Sequence, residues 1–210
     1  MAQTTFNVLD GSGLIEKTGQ GTWAGARDAA SGTISTADNV ASGYSTFRNP
    51  VYDNGRFFMG FNTAALTTAA TITAAKIRVY IVSRAGTDAE TLNVVSMTSG
   101  NPESLVGTDY VNFGTTSFSS LAFGSASTSA YNELTLDANG IANINKTGVS
   151  KFCFRTTRDI DNTAPTVDQP SGNSLNIDHS SASGATNILE LVVTYTLPDT
   201  ATDTSYSFFL

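Results

Sequence analysis

A chain of 210 residues with 11 Lys and Arg against 18 Asp and Glu, a net charge of -7 and only 14% charged side chains is long enough for one domain to bury roughly 70% of its unfolded surface, so folding requires neither a metal nor a disulfide. The 40% hydrophobic content excludes disorder throughout. The lack of basic clusters excludes a phosphate-backbone reader, hence nucleic acid as a partner, and no stretch reaches the ~18 apolar residues of a membrane span. With 31 Thr, 23 Ser and 18 Gly, the surface is polar through neutral groups and the chain favours strands and turns.

Read with Met1 as the start, the first residues lack the basic and apolar regions of a secretory signal, which predicts a chain made in the cytoplasm that does not leave by the usual export route. Apolar residues then recur with period two, which predicts strands at 5–9, 14–18, 56–61, 72–82, 91–97, 131–136, 151–156, 174–178 and 188–196. In 72–82, Ile77, Val79 and Ile81 fall on one face and Lys76, Arg78 and Tyr80 on the other, so one face is core and the other wet. Gly, Ser, Asn and Asp cluster between strands at 10–13, 53–55 and 183–185, where turns are favourable. A helical turn fits 104–111. A short helix is predicted at 137–144, capped by Asp137 and limited by Gly140. The pattern predicts an all-β fold, a two-sheet antiparallel sandwich of jelly-roll type with one short helix, over residues 1–196. Residues 197–210 form a polar linker and an apolar tail, whose Tyr206, Phe208, Phe209 and Leu210 either fold back on the domain or dock on a neighbouring subunit.

The inventory for catalysis is thin. His179 reads as a solvated loop histidine, and adjacent strand residues point to opposite faces, so Asp178 and His179 do not address one pocket. Cys153, between Phe152 and Phe154, reads as a packing residue, and as the sole cysteine it forms no intramolecular disulfide. Asp159 and Asp161 share one side if their segment is extended. They then form either a structural turn, with Arg158 pairing to an acid, or a weak calcium or glycosidase pair. Trp23, Tyr44, Phe47 and Tyr52 are aromatic candidates for stacking on a sugar, with core packing the competing reading for Trp23. Neither zinc spacing nor a phosphate-cradling glycine motif occurs.

Several segments together resemble one family. The run 56–66 (RFFMGFNTAAL), then 70–80 (ATITAAKIRVY), resembles the central strand pair of the DNRLRE-type modules, which are carbohydrate-binding-like jelly-roll domains. Residues 131–136 (YNELTL) with the helix after them, and 189–195 (LELVVTY), look like that family's later strands, and Asp10-Gly11 and the stretch from Trp23 to Arg27 also fit. The resemblance spans residues 4–196. Asn62 stands where many members carry an acid, so no metal or sugar role is carried over to it. Such modules occur in secreted bacterial surface proteins and in virion proteins of tailed phages. The resemblance therefore implies a non-enzymatic structural or attachment protein of a tailed-phage virion, made in the host cytoplasm and released by lysis. It would act without a cofactor in contact with other virion subunits or with its own copies, as a homo-oligomer. The alternative it implies is a carbohydrate-binding module or bacterial surface adhesin, extracellular or at the cell surface, that meets cell-surface glycans.

Overall fold

The computed structural model describes residues 1–37, 40–86, 89–169, 172–179 and 186–198. The apolar tail expected as a subunit contact, Tyr206, Phe208, Phe209 and Leu210, lies outside the described residues, as does the turn expected at 183–185. In chain order the strands are β1 (Ala2–Asn7), β2 (Gly13–Gln20), β3 (Thr33–Ser35), β4 (Val40–Ala41), β5 (Gly43–Arg48), β6 (Val51–Asn62), β7 (Thr71–Ala85) and β8 (Thr91–Ser96). They continue with β9 (Ser119–Ala122), β10 (Ala130–Thr135), β11 (Val149–Thr156), β12 (Ser174–Asp178) and β13 (Glu190–Thr196). The expected short helix is present as α2 (Ala138–Ala142), but it is joined by α1 (Trp23–Arg27) and α3 (Thr157–Asp161), so one helix was too few. The helical turn expected within 104–111 is a 3-10 turn at Gly107–Val111.

The strands form two antiparallel sheets packed face to face, an all-β sandwich as the periodicity predicts. Each is organised by one long strand. In the first sheet, β7 pairs β13 through 71–78 and β12 through 80–85, with β10 along its other side. In the second, β6 pairs β2 on one side and, on the other, β5 over 51–56 and β11 over 57–62. The β6 strand thus starts five residues earlier than the apolar pattern indicated, because Asp53-Asn54-Gly55, expected as a turn, continues the strand: 51–55 pairs with β5 throughout and with β2 at Tyr52, Asn54 and Gly55.

The main core lies between the sheets. It takes Phe57, Met59 and Phe61 from β6, and Ile77, Val79 and Ile81 from β7, each fully buried. The opposite face of β7 is wet as expected, with Lys76 bridged to Glu133 at 2.8 Å and Arg78 to Glu190 at 2.5 Å. The second sheet is different, because its outer face is also covered. Ile15, Phe58, Val95, Met97, Tyr110 and Cys153 form a smaller cluster there, with Ala29, Leu105, Phe113 and Ile160 packed against it. Ile15, Phe58, Val95 and Cys153 come from the sheet's own strands, and Ala29 beside α1, Tyr110 of the 3-10 turn, its neighbours Leu105 and Phe113, and Ile160 of α3 close over them as a third layer. No helix among the described residues is long and apolar enough to cross a membrane.

Candidate functional site

The inward face of the second sheet changes character along its strands. On β6 the inward positions run Phe61, Met59, Phe57, Gly55, Asp53, and on β2 they run Leu14, Glu16, Thr18. Leu14 and Phe57 are the last apolar members of the core on these two strands. Past them the space between the sheets is lined by polar groups and opens as a cleft of about 330 Å³. Its walls are Glu16 and Thr18 of β2, Tyr44, Thr46 and Arg48 of β5, and Asp53 of β6 on one side. Ala41 of β4, with Gly172, Asn173 and Ser174 at the start of β12, form the other.

Tyr44 is the fixed element of this cleft. Its register partner on β6 is Gly55, and its ring occupies the space a side chain there would need, with Cε1 only 2.6 Å from where a Cβ would stand. Its hydroxyl donates to Glu16 Oε2. Burial, and then the hydrogen bond to the Glu16 carboxylate, push the phenol well above its ordinary value, so it stays a donor. Asp53 is buried, accepts from the Gly19 amide at 2.6 Å and is neutralised by Arg48 at 2.5 Å. Asn173 is buried, and its Nδ2 has no hydrogen-bond partner among the described residues.

The other aromatic candidates do not join Tyr44. Tyr52 and Phe47 pair across β5 and β6 on the outer side of the sheet, with ring centroids 4.8 Å apart, and Trp23 of α1 lies 6.3 Å from Tyr52. Trp23 is buried, and its indole N–H donates to Asn162 Oδ1 at 3.1 Å. The expectation of Trp23 as an exposed platform is therefore corrected to the competing one: an indole at the start of a helix, packed against the sheet and tied by its polar end.

The pairing of Asp159 with Asp161 is also corrected. The segment is helical rather than extended, so residues two apart diverge: Asp159 is fully buried and Asp161 exposed. Asp159 sits on the outer face of the second sheet between Arg56, which donates to both of its oxygens at 2.8 and 2.6 Å, and Arg155 at 2.7 Å. Arg27 approaches to 3.7 Å. Burial by itself would raise the Asp159 carboxyl, but the hydrogen bonds and charge of Arg56, then of Arg155, outweigh it and hold the group below its ordinary value. Both oxygens are occupied by guanidinium donors, an arrangement that opposes a cation, and among the described residues no group of three or more His, Cys, Asp or Glu could hold a metal. The structural alternative has its partner: Arg158 lies 3.3 Å from Glu90.

His179 is not solvated. It is buried, its Nε2 is 2.8 Å from the Ala37 carbonyl, and its ring meets Phe57 edge-on at 4.9 Å. Cys153 is buried as expected, and burial pushes its thiol far above the ordinary value. Sequence reasoning missed Glu16, Thr46, Arg48, Asp53 and Asn173. The signal for the first four was a polar residue at a position where strand alternation demands core. Comparison with protein-family models and with curated proteins finds no match to this chain.

Proposed function

We propose that the chain is a non-enzymatic structural or attachment protein of a tailed-phage virion, a capsid decoration, head fibre or tail-attached module acting through contacts with other subunits or copies of itself. The observation that supports this reading is where the groups with reactive potential lie. Cys153 and Asp159 are sealed in the outer layer of the second sheet, and His179 is packed on Phe57, so each serves the fold. What faces outward is mostly neutral and polar, a surface that meets a partner without a large desolvation cost. Immunogold microscopy and co-sedimentation with purified particles test it. Particle-bound protein is the expected result, and protein found only free in the lysate overturns it. Truncation after Pro198 should leave the melting temperature unchanged and weaken assembly in analytical ultracentrifugation; unchanged assembly removes the tail from that role.

A second reading, a carbohydrate-binding module or surface adhesin, is favoured by one observation: the cleft that holds Tyr44 among hydrogen-bonding groups at the open end of the sandwich.

A further inference from the structure

The lining of the cleft restricts what it can take. Glu16 and Asp53 are negative and Arg48 is positive, so the walls carry one net negative charge, and Arg48 is already tied to Asp53. An anion would meet that excess charge. A cation would meet two carboxylates, one already neutralised, which is too few oxygens for calcium. A neutral ligand with many hydroxyls suits the remaining groups. The Glu16 carboxylate can accept further hydrogen bonds, and the Thr18 hydroxyl can donate and accept. Thr46, which accepts from the Asn173 amide at 3.3 Å, can donate, and Ser174, which donates to Asn176 Oδ1 at 3.3 Å, can accept. Asn173 Nδ2 is a buried donor without an acceptor among the described residues. The volume of about 330 Å³ lies at the small end of ligand sites, which run from roughly 300 to 1,000 Å³. That is room for a sugar ring or two, not for a buried chain.

Tyr44 supplies the apolar part. A ring seated over Gly55 and pinned at its hydroxyl by Glu16 has lost its freedom before any ligand arrives, so binding need not order it. We propose that this cleft is a carbohydrate subsite that takes a neutral pyranose ring against Tyr44, with Glu16 accepting from sugar hydroxyls and Asn173 donating, while Asp53, its oxygens held by the Gly19 amide and Arg48, shapes the wall. Glu16 then has two functions, as it fixes the platform and reads the ligand. This rests on the second reading above and is independent of a virion location.

The test is a titration of the full chain with a panel of neutral sugars: glucose, galactose, mannose, rhamnose, N-acetylglucosamine and N-acetylgalactosamine, at millimolar concentration. Amide shifts in nitrogen-15 spectra are followed, with melting temperature measured on every variant. The expected result is that at least one sugar shifts the amides around Glu16, Tyr44, Thr46 and Asn173. Tyr44→Ala should then weaken that binding on the order of tenfold or more, the scale of losing a well-packed aromatic contact. Thr18→Trp, at an exposed wall position, should block the cleft with an unchanged melting temperature, which keeps the test decisive if Tyr44→Ala does not fold. Binding that survives both substitutions overturns the cleft while leaving the carbohydrate reading. Silence toward the whole panel overturns both, and neither outcome touches the particle experiment.

Discussion

Asp159 places a single carboxylate between the buried guanidinium groups of Arg56 and Arg155, and the planes of those groups are themselves covered. Arg56 stacks on Tyr110 at 4.0 Å and on Phe113 at 4.2 Å, and Arg155 stacks on Phe113 at 3.7 Å. Two like charges held this close under aromatic rings are tolerable only while the carboxylate is ionised. Asp159→Asn should therefore cost about 3 to 5 kcal/mol, the usual penalty for breaking a buried pair, whereas Asp161→Asn at its exposed position should stay within about 0.5 kcal/mol; urea denaturation of the two variants checks the contrast. The pH dependence follows from the depressed carboxyl. Its stabilisation is complete above the ordinary value of 3.8 and is lost as pH falls through the lower folded value, because protons bind the unfolded chain first. Wild type should hold its urea midpoint at neutral and mildly acidic pH and lose it in acid, and Asp159→Asn should flatten that acid limb. Cys153 gives an independent reading of the same layer. Its buried thiol should react with Ellman's reagent only on unfolding, and fast labelling of the native protein would mean that the outer layer opens.

At the scale of elements, α3 is held by a chain of hydrogen bonds whose directions can be assigned. Ser45 Oγ donates to Asn54 Oδ1 at 2.8 Å, so its only proton is used, and Thr156 Oγ1, 2.5 Å away, must donate to it. Thr156 accepts in turn from the Asp159 amide at 3.2 Å, as the N-cap of α3. Asn54 Nδ2 donates to Tyr110 Oη at 2.9 Å, and Tyr110 donates to the Ala26 carbonyl at 2.8 Å. Burial, partly offset by the charge of Arg56, pushes the Tyr110 phenol up to about 12, so it keeps the proton this link needs. One buried line thus joins α3, β5, β6, the 3-10 turn and α1. Thr156→Val keeps the volume and breaks the line at its cap, leaving a buried amide and a buried hydroxyl short of partners. A loss of about 2 kcal/mol is expected, measured as a fall in urea midpoint at constant m-value; a change below experimental error would mean that water replaces the link. None of this was legible in the sequence, because Ser45, Asn54 and Thr156 are ordinary strand residues until the register brings them together. The sandwich itself was legible, since Ile77, Val79 and Ile81 alternate with Lys76, Arg78 and Tyr80 along β7. The cleft was half legible. Tyr44 was a visible aromatic, but Glu16 and Asp53 carry meaning only once Leu14 and Phe57 are known to mark the end of the core.

The whole molecule is a sandwich with a third layer, and that layer explains its least expected sequence feature. A sheet with one wet face shows alternation, as β7 does, whereas β6 carries Phe57, Phe58 and Met59 in succession, and β11 carries Phe152, Cys153 and Phe154. Consecutive apolar residues on a strand require both faces to be covered. The outer cover is built from short helices and turns with little apolar mass, so the charged cluster at Asp159 must complete it. The order of importance can be tested by truncating neighbouring phenylalanines. Phe57 points into the main core and Phe58 into the outer layer, and both are fully buried. If the outer layer is a true core, Phe58→Ala should cost about 3 to 5 kcal/mol, as Phe57→Ala should. Both are read from chemical denaturation, with native amide exchange showing where protection is lost. Phe58→Ala should deprotect α1, α3 and the 3-10 turn while β7 and β13 stay protected, since they lie across the other interface. A cost for Phe58→Ala below about 1 kcal/mol, the range of surface substitutions, would reduce the third layer to loose loops and leave the sandwich with one core.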